Sequence, residues 1–433
     1  MPYTWFPDPC GGTEIYVQAL AAELASLGWQ SEVAVASPKV TELVTDHRMR
    51  LTSHRVPAPS QMRQAELYGA GEPTSAAVFS RLLKEKKPSV VHFHAFTPSV
   101  SVLWLEAARS VGIPCVYTYH TPTLACGRGT LLRWGQIPCD GQLTPLRCAA
   151  CTLHSLGMSK SLAWGVSVFS PLTAPFLSKA PFRMWPLIHQ RSQAVRRWLA
   201  GMRRVVALSA WSKAVLERNG VPIAKTCLVR HGLAGPVGRG KDEKTGSLGK
   251  SGERLKLGFF GRVDRAKGLG LLADVLCRCP ELVVELHCHL IGEDSAEPAL
   301  RDVLHRLRED TRVQIHPAVS SEQVVKVMAG YDAVLVPSQG FETGPLVVLE
   351  AFAAGVPVIG SDLGGIAEWV THGLNGLLCP PDDAEAWAEA MRSLVRDATL
   401  LAHLQAGVHP PPSMAEVAVR MAGIYQEVMT EAP

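Results

Sequence analysis

The stretch PSQGFETGPLVVLEAFAAGVPVIGSDLGGIAEWV, residues 337–370, decides the fold because it runs from a loop into an apolar helix and on to a strand. Gly344 and Pro345 open the helix, Glu342 lies in the loop before it, and Glu350 lies on it. A helix amino terminus presents unpaired N–H groups and favours a phosphate. Glu350 can accept hydrogen bonds from a ribose diol, and Glu342 from sugar hydroxyls. Taken alone, the pair is more typical of a helix-dipole carboxylate plus an exposed Glu.

A second motif, LGFFGRVDRAKGL at residues 257–269, places Arg262 and Lys267 just after a strand. Gly261 and Gly268 keep the backbone clear around them. Two fixed cations there can hold a diphosphate and neutralise its charge as it leaves. Alone the motif is more often a solvated loop, but together with the Glu pair about 80 residues later it favours a nucleotide diphosphate site.

Short β-branched runs alternate with amphipathic stretches along the chain, which predicts parallel sheets with crossover helices. We expect strands at 32–36, 90–94, 115–119, 205–208 and 226–229, and a second series at 255–260, 283–291, 313–316, 333–337, 356–360 and 376–379. Residues 234–253 are rich in Gly, Lys and Ser and read as a linker. The fold class is therefore α/β, with two Rossmann-like doubly wound domains, 1–233 and 254–412, facing a cleft. A last helix, within 413–433, is expected to pack back across the junction.

The amino-terminal domain lacks an expected feature. A doubly wound sheet begins with a buried strand that leads into a glycine-rich turn, but Gly11 and Gly12 follow ten residues that include three prolines. Either the domain starts upstream of Met1 or it has no central first strand. We favour the first interpretation.

Composition narrows the class of protein. Of the 433 residues, 47% are hydrophobic and 19% are charged, which excludes a disordered chain, a collagen and a coiled coil. The odd count of 11 cysteines and the start MPYTWFPDPC do not suggest a secreted disulfide framework or a signal peptide. We expect a cytoplasmic protein, peripheral on the inner face of the membrane if it binds lipid.

Charge is distributed unevenly. No acidic residue occurs between Asp140 and Glu217, whereas ten Lys and Arg residues lie there. Residues 182–204 mix arginines with Trp185, Trp198 and apolar side chains, a composition suited to an anionic membrane surface. A solvated basic helix is the equal alternative. Nucleic acid is not an expected partner because no nucleic-acid-binding motif accompanies the charges.

Four cysteines cluster at about residues 124–155, which read as a Cys-rich insertion: Cys126, Cys139, Cys148 and Cys151. Four thiolates around Zn²⁺ would stabilise a loop that has little core of its own. An iron–sulfur cluster takes the same ligands. Disulfides and unrelated reduced thiols remain alternatives to this structural metal.

The motifs together resemble the retaining glycosyltransferases of the GT-B fold, specifically glycosyltransferase family 4. The resemblance covers most of the chain and is most specific from Gly258 to Pro381, with GR-x4-KG, E-x7-E, EAFAAGVPVI and SDLGGIAEWV. CGGTE resembles the family's GG-x-E loop, and VYTYHTP resembles the strand that delivers its active-site histidine. His231-Gly232 departs from the Asn-Gly of many relatives.

The resemblance implies transfer of a hexosyl group from a nucleotide diphosphate sugar to a glycan or lipid-linked hydroxyl, with retention, in cell-surface polysaccharide or glycolipid synthesis. It implies that Arg262 and Lys267 bind the donor diphosphate beside Gly344 and Pro345, and that Glu350 binds the ribose.

The other implied roles concern the sugar and the first domain. Glu342 would bind the sugar hydroxyls, His120 would touch the sugar near the reacting centre, and Gly11 and Gly12 would admit phosphate or acceptor. His92 and His94, which alternate on one strand, read as structural or cleft-lining. No catalytic metal is expected, because the two cations supply its charge. Rival interpretations are a nucleotide-sugar epimerase or glycogen-synthase-like enzyme of this fold, and a nucleotide-sugar-binding protein without transfer.

Overall fold

The computed structural model describes residues 1–8, 11–48, 50–173, 180–235 and 254–431. It divides into two compact units: Met1–Arg230 together with the last helix, and His231–Ser413. Most of the predicted linker, residues 236–253, lies outside the described residues.

The first unit contains nine strands and nine helices within the described ranges. Its strands are β1 Glu32–Ser37, β2 Val44–Arg48, β3 Leu51–Pro57, β4 Val91–Phe93, β5 Cys115–Tyr119, β6 Leu132–Arg133, β7 Ile137–Pro138, β8 Arg204–Ala207 and β9 Thr226–Leu228. Its helices are α1 Gly12–Ser26, α2 Gln64–Tyr68, α3 Pro73–Lys86, α4 Val102–Ser110, α5 Pro145–Ser155, α6 Lys160–Thr173, α7 Ala180–Ala200, α8 Ala210–Arg218 and the last helix of the chain, α16 Met414–Thr430.

The main strands of the first unit form two separate sheets, in the orders β1-β3-β2 and β4-β5-β8-β9. Within the described ranges, β1 and β4 each end a sheet, so they do not flank a common neighbour. Met1 lies beside β4: its amino group donates to the His92 carbonyl at 2.9 Å, and the His94 N–H donates to the Met1 carbonyl at 3.0 Å. The first unit is therefore α/β with an incomplete doubly wound sheet.

The second unit is a complete doubly wound domain. Its strands are β10 Leu255–Arg262, β11 Val284–Ile291, β12 Val313–Pro317, β13 Ala333–Val336, β14 Val358–Ser361 and β15 Gly376–Cys379. Its helices are α9 Leu269–Arg278, α10 Pro298–Glu309, α11 Val324–Met328, α12 Leu346–Ala353, α13 Gly364–Trp369, α14 Ala384–Arg396 and α15 Ala398–Ala406. All pairings are parallel, in the order β12-β11-β10-β13-β14-β15. Because β10 is the first of these strands, this is the 3-2-1-4-5-6 order of dinucleotide-binding sheets.

Each unit has its own apolar core. In the second unit, the buried strands β10, β11 and β13 pack against α9, α10 and α14, with Trp387 fully buried. In the first unit, α1 and the last helix α16 share one cluster, in which Tyr16, Leu20, Met421 and Tyr425 are buried. The last helix thus completes the core of the first unit, although it follows the second unit in sequence.

The basic segment 182–204 differs from its interpretation as a membrane-surface helix. Its apolar side chains point into the protein, since Met184, Leu187 and Trp198 are all buried on α7. Arg197 pairs with Glu106 on the neighbouring α4. A helix whose apolar face already fills a protein core cannot also insert that face into lipid. Among the described residues, no helix combines the length and apolar character that crossing a membrane requires.

Candidate active site

Two loops meet in the second unit where its strand order reverses. Residues 263–268 follow β10 and residues 337–345 follow β13, and these two strands are neighbours in the sheet. The Gln339 N–H donates to the Ala266 carbonyl at 2.7 Å. Gly268 has a φ of 78°, and a Cβ at this position would lie 1.9 Å from the Pro337 carbonyl oxygen. Only glycine allows this approach, which brings the two predicted motifs together at the usual ligand-binding position of such a sheet.

Lys267 and Glu342 form the centre of this site. The Lys267 Nζ lies 2.8 Å from Glu342 Oε1, and the Ser338 hydroxyl donates to the same oxygen. Their side chains are only 26% and 21% exposed. Burial alone would raise the pKa of Glu342, but Lys267, Ser338 and the more distant Arg262 outweigh it and hold that pKa below its usual range. Glu342 is thus an ionised acceptor placed against a cation.

Arg262 lies at the end of β10 with 65% of its side chain exposed. Within the described part of the chain, its ion-pair partner is Asp264, at 3.8 Å. Because this ion pair is long and the side chain is mostly exposed, the Arg262 guanidinium can turn towards a diphosphate and bind it with two hydrogen bonds.

The start of α12 provides the rest of the predicted donor site. Gly344 and Pro345 precede the helix, and Glu350 lies on its second turn, half-buried. Within the described chain, no hydrogen bond reaches the Glu350 carboxylate. Burial raises the pKa of Glu350 to about 7. Such a carboxyl gains from hydroxyl donors, and a ribose diol would supply two of them.

His231 packs against this helix start. A Cβ on Gly344 would come within 3.1 Å of the His231 ring, so Gly344 makes room for it. The His231 Nδ1 lies 2.7 Å from the Gly232 carbonyl, and burial lowers the pKa of His231 to about 4. The His-Gly departure from the family pattern therefore leaves a neutral ring that shapes the loop before α12.

In the first unit, the glycine loop is held by a residue that the sequence analysis did not assign. Glu14 is buried, and its carboxylate accepts from the Gly11 N–H at 2.8 Å and from the Tyr3 and Thr4 N–H groups at 3.1 and 3.2 Å. Helix α1 begins at Gly12. The capping-box spacing from Gly11 to Glu14 was a signal that could have identified this positioning role.

His120 follows β5 and belongs to a chain of three histidines. Its Nε2 lies 2.9 Å from His94 Nδ1, and the His94 ring contacts the His92 ring, with centroids 3.8 Å apart and the planes tilted by 39°. His92 in turn contacts the Tyr425 and Thr118 hydroxyls, both at 2.7 Å. Burial holds the pKa values of His92 and His94 well below the usual range, so both rings are neutral. The two rings that were predicted to be structural therefore fix the orientation of His120.

The four clustered cysteines all line one cavity of about 40 Å³ in the first unit. The Cys151 Sγ accepts from Arg128 Nη1 and from the Trp134 N–H, both at 3.4 Å. All ten cysteines within the described ranges are free thiols, which does not support the disulfide alternative. Searched over the same residues, no three His, Cys, Asp or Glu side chains are placed so that they could hold a metal ion. The thiols thus converge on one space without forming the predicted metal site as they stand.

Comparison with protein-family models assigns both units. Residues 10–233, half of the chain, match the model described as "Glycosyltransferase Family 4", and residues 254–397 match "Glycosyl transferases group 1". The chain belongs to glycosyltransferase family 4. This family 4 glycosyltransferase has a GT-B fold, so the predictions of family and fold class are confirmed.

Several D-inositol 3-phosphate glycosyltransferases are similar to this family 4 chain. The protein from Thermobispora bispora is 25% identical over 439 residues, covering 97% of this chain and 90% of its own length. The protein from Xylanimonas cellulosilytica is 31% identical over 182 residues, and in that match the chain spans only 43% of its relative. These relatives support the prediction of a hexosyltransferase-type enzyme.

Solved structures match over nearly the whole chain at low identity. Sucrose-phosphate synthase from Thermosynechococcus elongatus superposes with a TM-score of 0.67 at 18% identity, covering all of this chain and 96% of that one. Anabaena HepE, in complex with UDP-glucose, superposes with a TM-score of 0.61 at 18% identity, covering 97% of each chain. At this identity the likeness establishes the fold alone.

Proposed function

We propose that this glycosyltransferase moves a hexosyl group from a nucleotide diphosphate sugar to an acceptor hydroxyl with retention of the anomeric configuration. The observation that carries the proposal is the pairing of Lys267 with Glu342 where the strand order reverses, next to the start of α12 and Glu350. The site offers a cation and a helix amino terminus to the diphosphate and an ionised acceptor to the sugar. It offers the ribose a carboxyl that no hydrogen bond reaches within the described chain. HepE, a structural neighbour, binds UDP-glucose.

Donor binding would rearrange the ion pair. A diphosphate next to Lys267 competes with Glu342 for the ammonium group, and the exposed Arg262 can turn in to share the phosphate charge. Glu342 is then released towards the sugar hydroxyls, which donate to it. In this way one pair of residues couples arrival of the diphosphate to recognition of the sugar.

The reaction itself needs no enzyme nucleophile in this proposal. The bond from the anomeric carbon to the diphosphate oxygen breaks, while the acceptor hydroxyl bonds to the same face of that carbon. The acceptor proton passes to the departing diphosphate oxygen. Arg262 and Lys267 stabilise the charge that develops on that diphosphate, which is the electrostatic part of catalysis.

Residues of the first unit complete the proposal. His120, held by His94, is assigned to the transferred sugar near its reacting carbon. Gly11, whose N–H is bound by Glu14, and Gly12 lie at the start of α1, where we propose that they admit phosphate or acceptor.

The test is the product formed by purified protein from a panel of nucleotide sugars labelled at C1. We expect a new glycoside whose anomeric configuration matches the donor, read by NMR. An inverted product contradicts retention, and epimerised free sugar or a polymer formed only on a glucan primer identifies the rival enzymes. Donor binding without any transfer or hydrolysis identifies the non-catalytic alternative.

For the acceptor we propose a glycan or a lipid-phosphate-linked hydroxyl, with the protein in the cytoplasm at the inner membrane surface. Because the apolar face of α7 is buried, the proposed membrane contact moves to α6, where Leu162 is 58% exposed and Phe169 is 61% exposed. Binding to anionic phosphatidylglycerol vesicles tests it. The Leu162→Asp/Phe169→Asp double variant should lose binding, whereas Val419→Asp, at an equally exposed apolar position, should not.

We retain the structural zinc as a proposal for the four-cysteine cavity. The Arg128 and Trp134 N–H groups that donate to the Cys151 Sγ would also stabilise a thiolate bound to metal. Elemental analysis of reduced protein should give about one zinc per chain, and less than about 0.2 would overturn the proposal. Cys277→Ser, at an exposed cysteine elsewhere, is the control for Cys148→Ser.

A further inference from the structure

A row of three stacked rings crosses one face of the second sheet, close to its carboxyl edge. The parallel ladders pair Phe260 of β10 with His289 of β11, and His289 with His316 of β12. The Phe260 and His289 ring centroids are 4.6 Å apart, with the planes inclined by 12°. The His289 and His316 centroids are 4.9 Å apart, with the planes inclined by 21°. These three side chains, here called the ring row, therefore join the edge strand β12 to the strand that carries Arg262.

Arg262 lies next to the ring row on the same face of the sheet. Alternate residues of a strand point to the same face, so Arg262 and Phe260 share one face of β10. Arg262 lies two residues, or about 7 Å, farther along the strand. It pairs in the ladder with Ile291, which likewise follows His289 by two residues on β11. The ring row thus supports the strand ends from which Arg262, the proposed diphosphate ligand, projects.

A chain of hydrogen bonds fixes where the protons of His287 and His289 lie. The His287 Nε2 lies 2.7 Å from Glu285 Oε1, and an ionised carboxylate only accepts, so this nitrogen carries a proton. In a neutral His287 ring the Nδ1 is then an acceptor, and the Tyr331 hydroxyl, 3.2 Å away, donates to it. The His289 Nε2, 2.7 Å from the same hydroxyl, therefore donates to Tyr331. This chain leaves the His289 Nδ1 without a proton.

The folded row accommodates a further proton poorly. The His289 Nδ1 and the His316 Nε2 are buried, and neither has a hydrogen-bond partner within the described chain. Burial lowers the pKa of His289 and the charge of a protonated His316 lowers it further, although the Pro317 carbonyl acts in the opposite direction. Burial and the charge of His287 lower the pKa of His316. The closed sheet thus favours neutral rings.

The surrounding charged groups do not reverse this preference. Glu285 already binds His287 and Gln314, and Asp332 accepts from the Lys256 N–H. Burial raises the pKa of Tyr331 to about 12, so this hydroxyl stays neutral. The other charged side chains on the elements packed around the row and on their approaches are Arg254, Lys256 and Arg262 at β10, and the exposed Glu322 and Lys326 at α11. A proton added to the row therefore meets mainly cations.

Strand β12 is the element that can open to hydrate these rings. It is an edge strand and, within the described residues, pairs only with β11. On its other face, Val313 and Ile315 pack against the core of the unit. Separation of β12 from β11 would expose His316 and one side of the His289 ring to water. Local opening of this kind requires less free energy than unfolding of the whole unit.

We propose that the ring row is an acid-sensitive support for Arg262, in which neutral His289 and His316 hold β12 against β11, and protonated rings let β12 separate and withdraw that support. The two histidines act on Arg262 through Phe260 and are therefore positioning residues. Opening of β12 concerns the second unit alone, whereas its effect on nucleotide binding rests on the function proposed above.

Acid should favour the open form. With β12 separated, the two histidines titrate near the ordinary pKa of about 6.5, whereas in the closed sheet their pKa values are lower. Below about pH 6.5 the open form therefore binds more protons, so the free energy of opening falls as the pH falls. Glu350 acts in the opposite direction, because burial raises its pKa.

The first test is amide hydrogen exchange at β11 and β12 at pH 7.5 and pH 5.5, corrected for the intrinsic rate at each pH. It compares the parent with His316→Phe and with His289→Phe/His316→Phe, which keep the stacked rings but cannot take up protons. His305→Phe, at a histidine with 74% of its side chain exposed, is the matched control. We expect acid to reduce protection in the parent and in the control by roughly ten-fold or more, and to change the double variant little.

A charge that does not depend on pH gives a second comparison. Lys in place of His316 imitates a protonated ring, so His316→Lys should exchange rapidly at β12 at both pH values. Equal acid loss of protection in the parent and in the double variant overturns the proposal, as does full protection of β12 in His316→Lys.

Isothermal titration with UDP at the same two pH values tests the link to Arg262. Protonation of the nucleotide and of Glu350 affects all forms alike, so the difference between parent and double variant reports on the ring row. We expect the Kd of the parent to rise roughly three- to ten-fold more than that of the double variant. Tighter binding by the parent at pH 5.5 overturns the proposal, because a protonated row would then attract the diphosphate. Binding that stays equal while β12 opens overturns the link to Arg262, and failure of UDP to bind any form contradicts the donor site while hydrogen exchange still decides the opening.

Discussion

Replacement of Glu350 by Gln should make the ligand-free protein more stable at high pH while weakening its binding of nucleotide. The carboxyl is half-buried on α12, receives no hydrogen bond within the described chain, and has a pKa of about 7, against 4.5 for an unperturbed Glu. Between these two values the unfolded chain has lost its proton and the folded chain keeps it. Unfolding then releases a proton, so the free energy of unfolding falls as the pH rises.

The loss in unfolding free energy follows from the rise in the pKa of Glu350 from 4.5 to about 7. This rise corresponds to about 3 kcal/mol of stability, all of which is lost once the pH exceeds the pKa of the folded protein. A Gln side chain does not ionise, so the variant does not lose this unfolding free energy as the pH rises. Relative to the parent, Glu350→Gln should gain roughly 2 to 3 kcal/mol in unfolding free energy on going from pH 5 to pH 8.

Urea denaturation at the two pH values measures this gain, with Glu322→Gln, an exposed position on another loop, as the matched control. Isothermal titration with UDP in buffers of different ionisation enthalpy gives the second readout. The parent should release a proton on binding near pH 6.5, because ribose hydroxyls favour the ionised carboxyl, and the variant should not. Its affinity should fall roughly 10- to 100-fold.

Two results would refute this reasoning. If the Glu350→Gln variant is equally stabilised or destabilised at pH 5 and pH 8, the carboxyl is not a buried group without a partner. If it binds every nucleotide as the parent does, Glu350 does not contact the ribose.

Three further outcomes follow from the geometry. Lys267→Met should lower kcat/KM by roughly 10²- to 10³-fold, because it removes a cation from the leaving group, whereas Arg265→Met, on the same turn but paired with Glu297, should change it little in the same assay. His120→Ala should lower kcat and leave the Kd for nucleotide unchanged, as turnover and titration together would show, since no nucleotide contact is assigned to it. Gly268→Ala should cost about 3 kcal/mol or more in urea denaturation, because its φ is positive and the new methyl meets a carbonyl oxygen; a cost below about 1 kcal/mol would show that the two loops can separate.

Strands β13 and β15 of the second unit were predictable because they are largely buried on both faces. Runs such as residues 333–336 and 376–379 are continuously apolar, and the structure places β13 and β15 there. By contrast, β2 and β3 were not predicted. β2 reads VTDHR and is largely exposed, so it has neither an apolar run nor an alternation to mark it, and only its antiparallel pairing with β3 defines it.

The donor site was predicted residue by residue, but its central contact was not. The motifs named Lys267 and Glu342, yet nothing in a separation of 75 residues shows that the two side chains meet at 2.8 Å. That contact arises from the order of strands in the sheet. His94 illustrates the opposite case, since its alternation with His92 indicated a shared face but gave no sign of the bond to His120.

The sequence of the basic segment leaves the surroundings of its apolar side chains open. Composition shows that Arg and Trp are mixed along α7, but it does not show which neighbours cover the helix. Trp198 is fully buried and packs edge-on against Phe93 and Tyr117. Apolar residues at helical spacing give the same sequence pattern in a helix that faces lipid and in one that faces a protein core.

The central claim is that the second unit binds a nucleotide diphosphate where its strand order reverses. Isothermal titration of UDP, GDP and ADP into the parent, Lys267→Met and Arg265→Met measures it directly. We predict that at least one nucleotide binds the parent and Arg265→Met alike, and that Lys267→Met weakens its binding at least ten-fold. Failure of all three nucleotides to bind, or equal binding to all three proteins, would contradict the account.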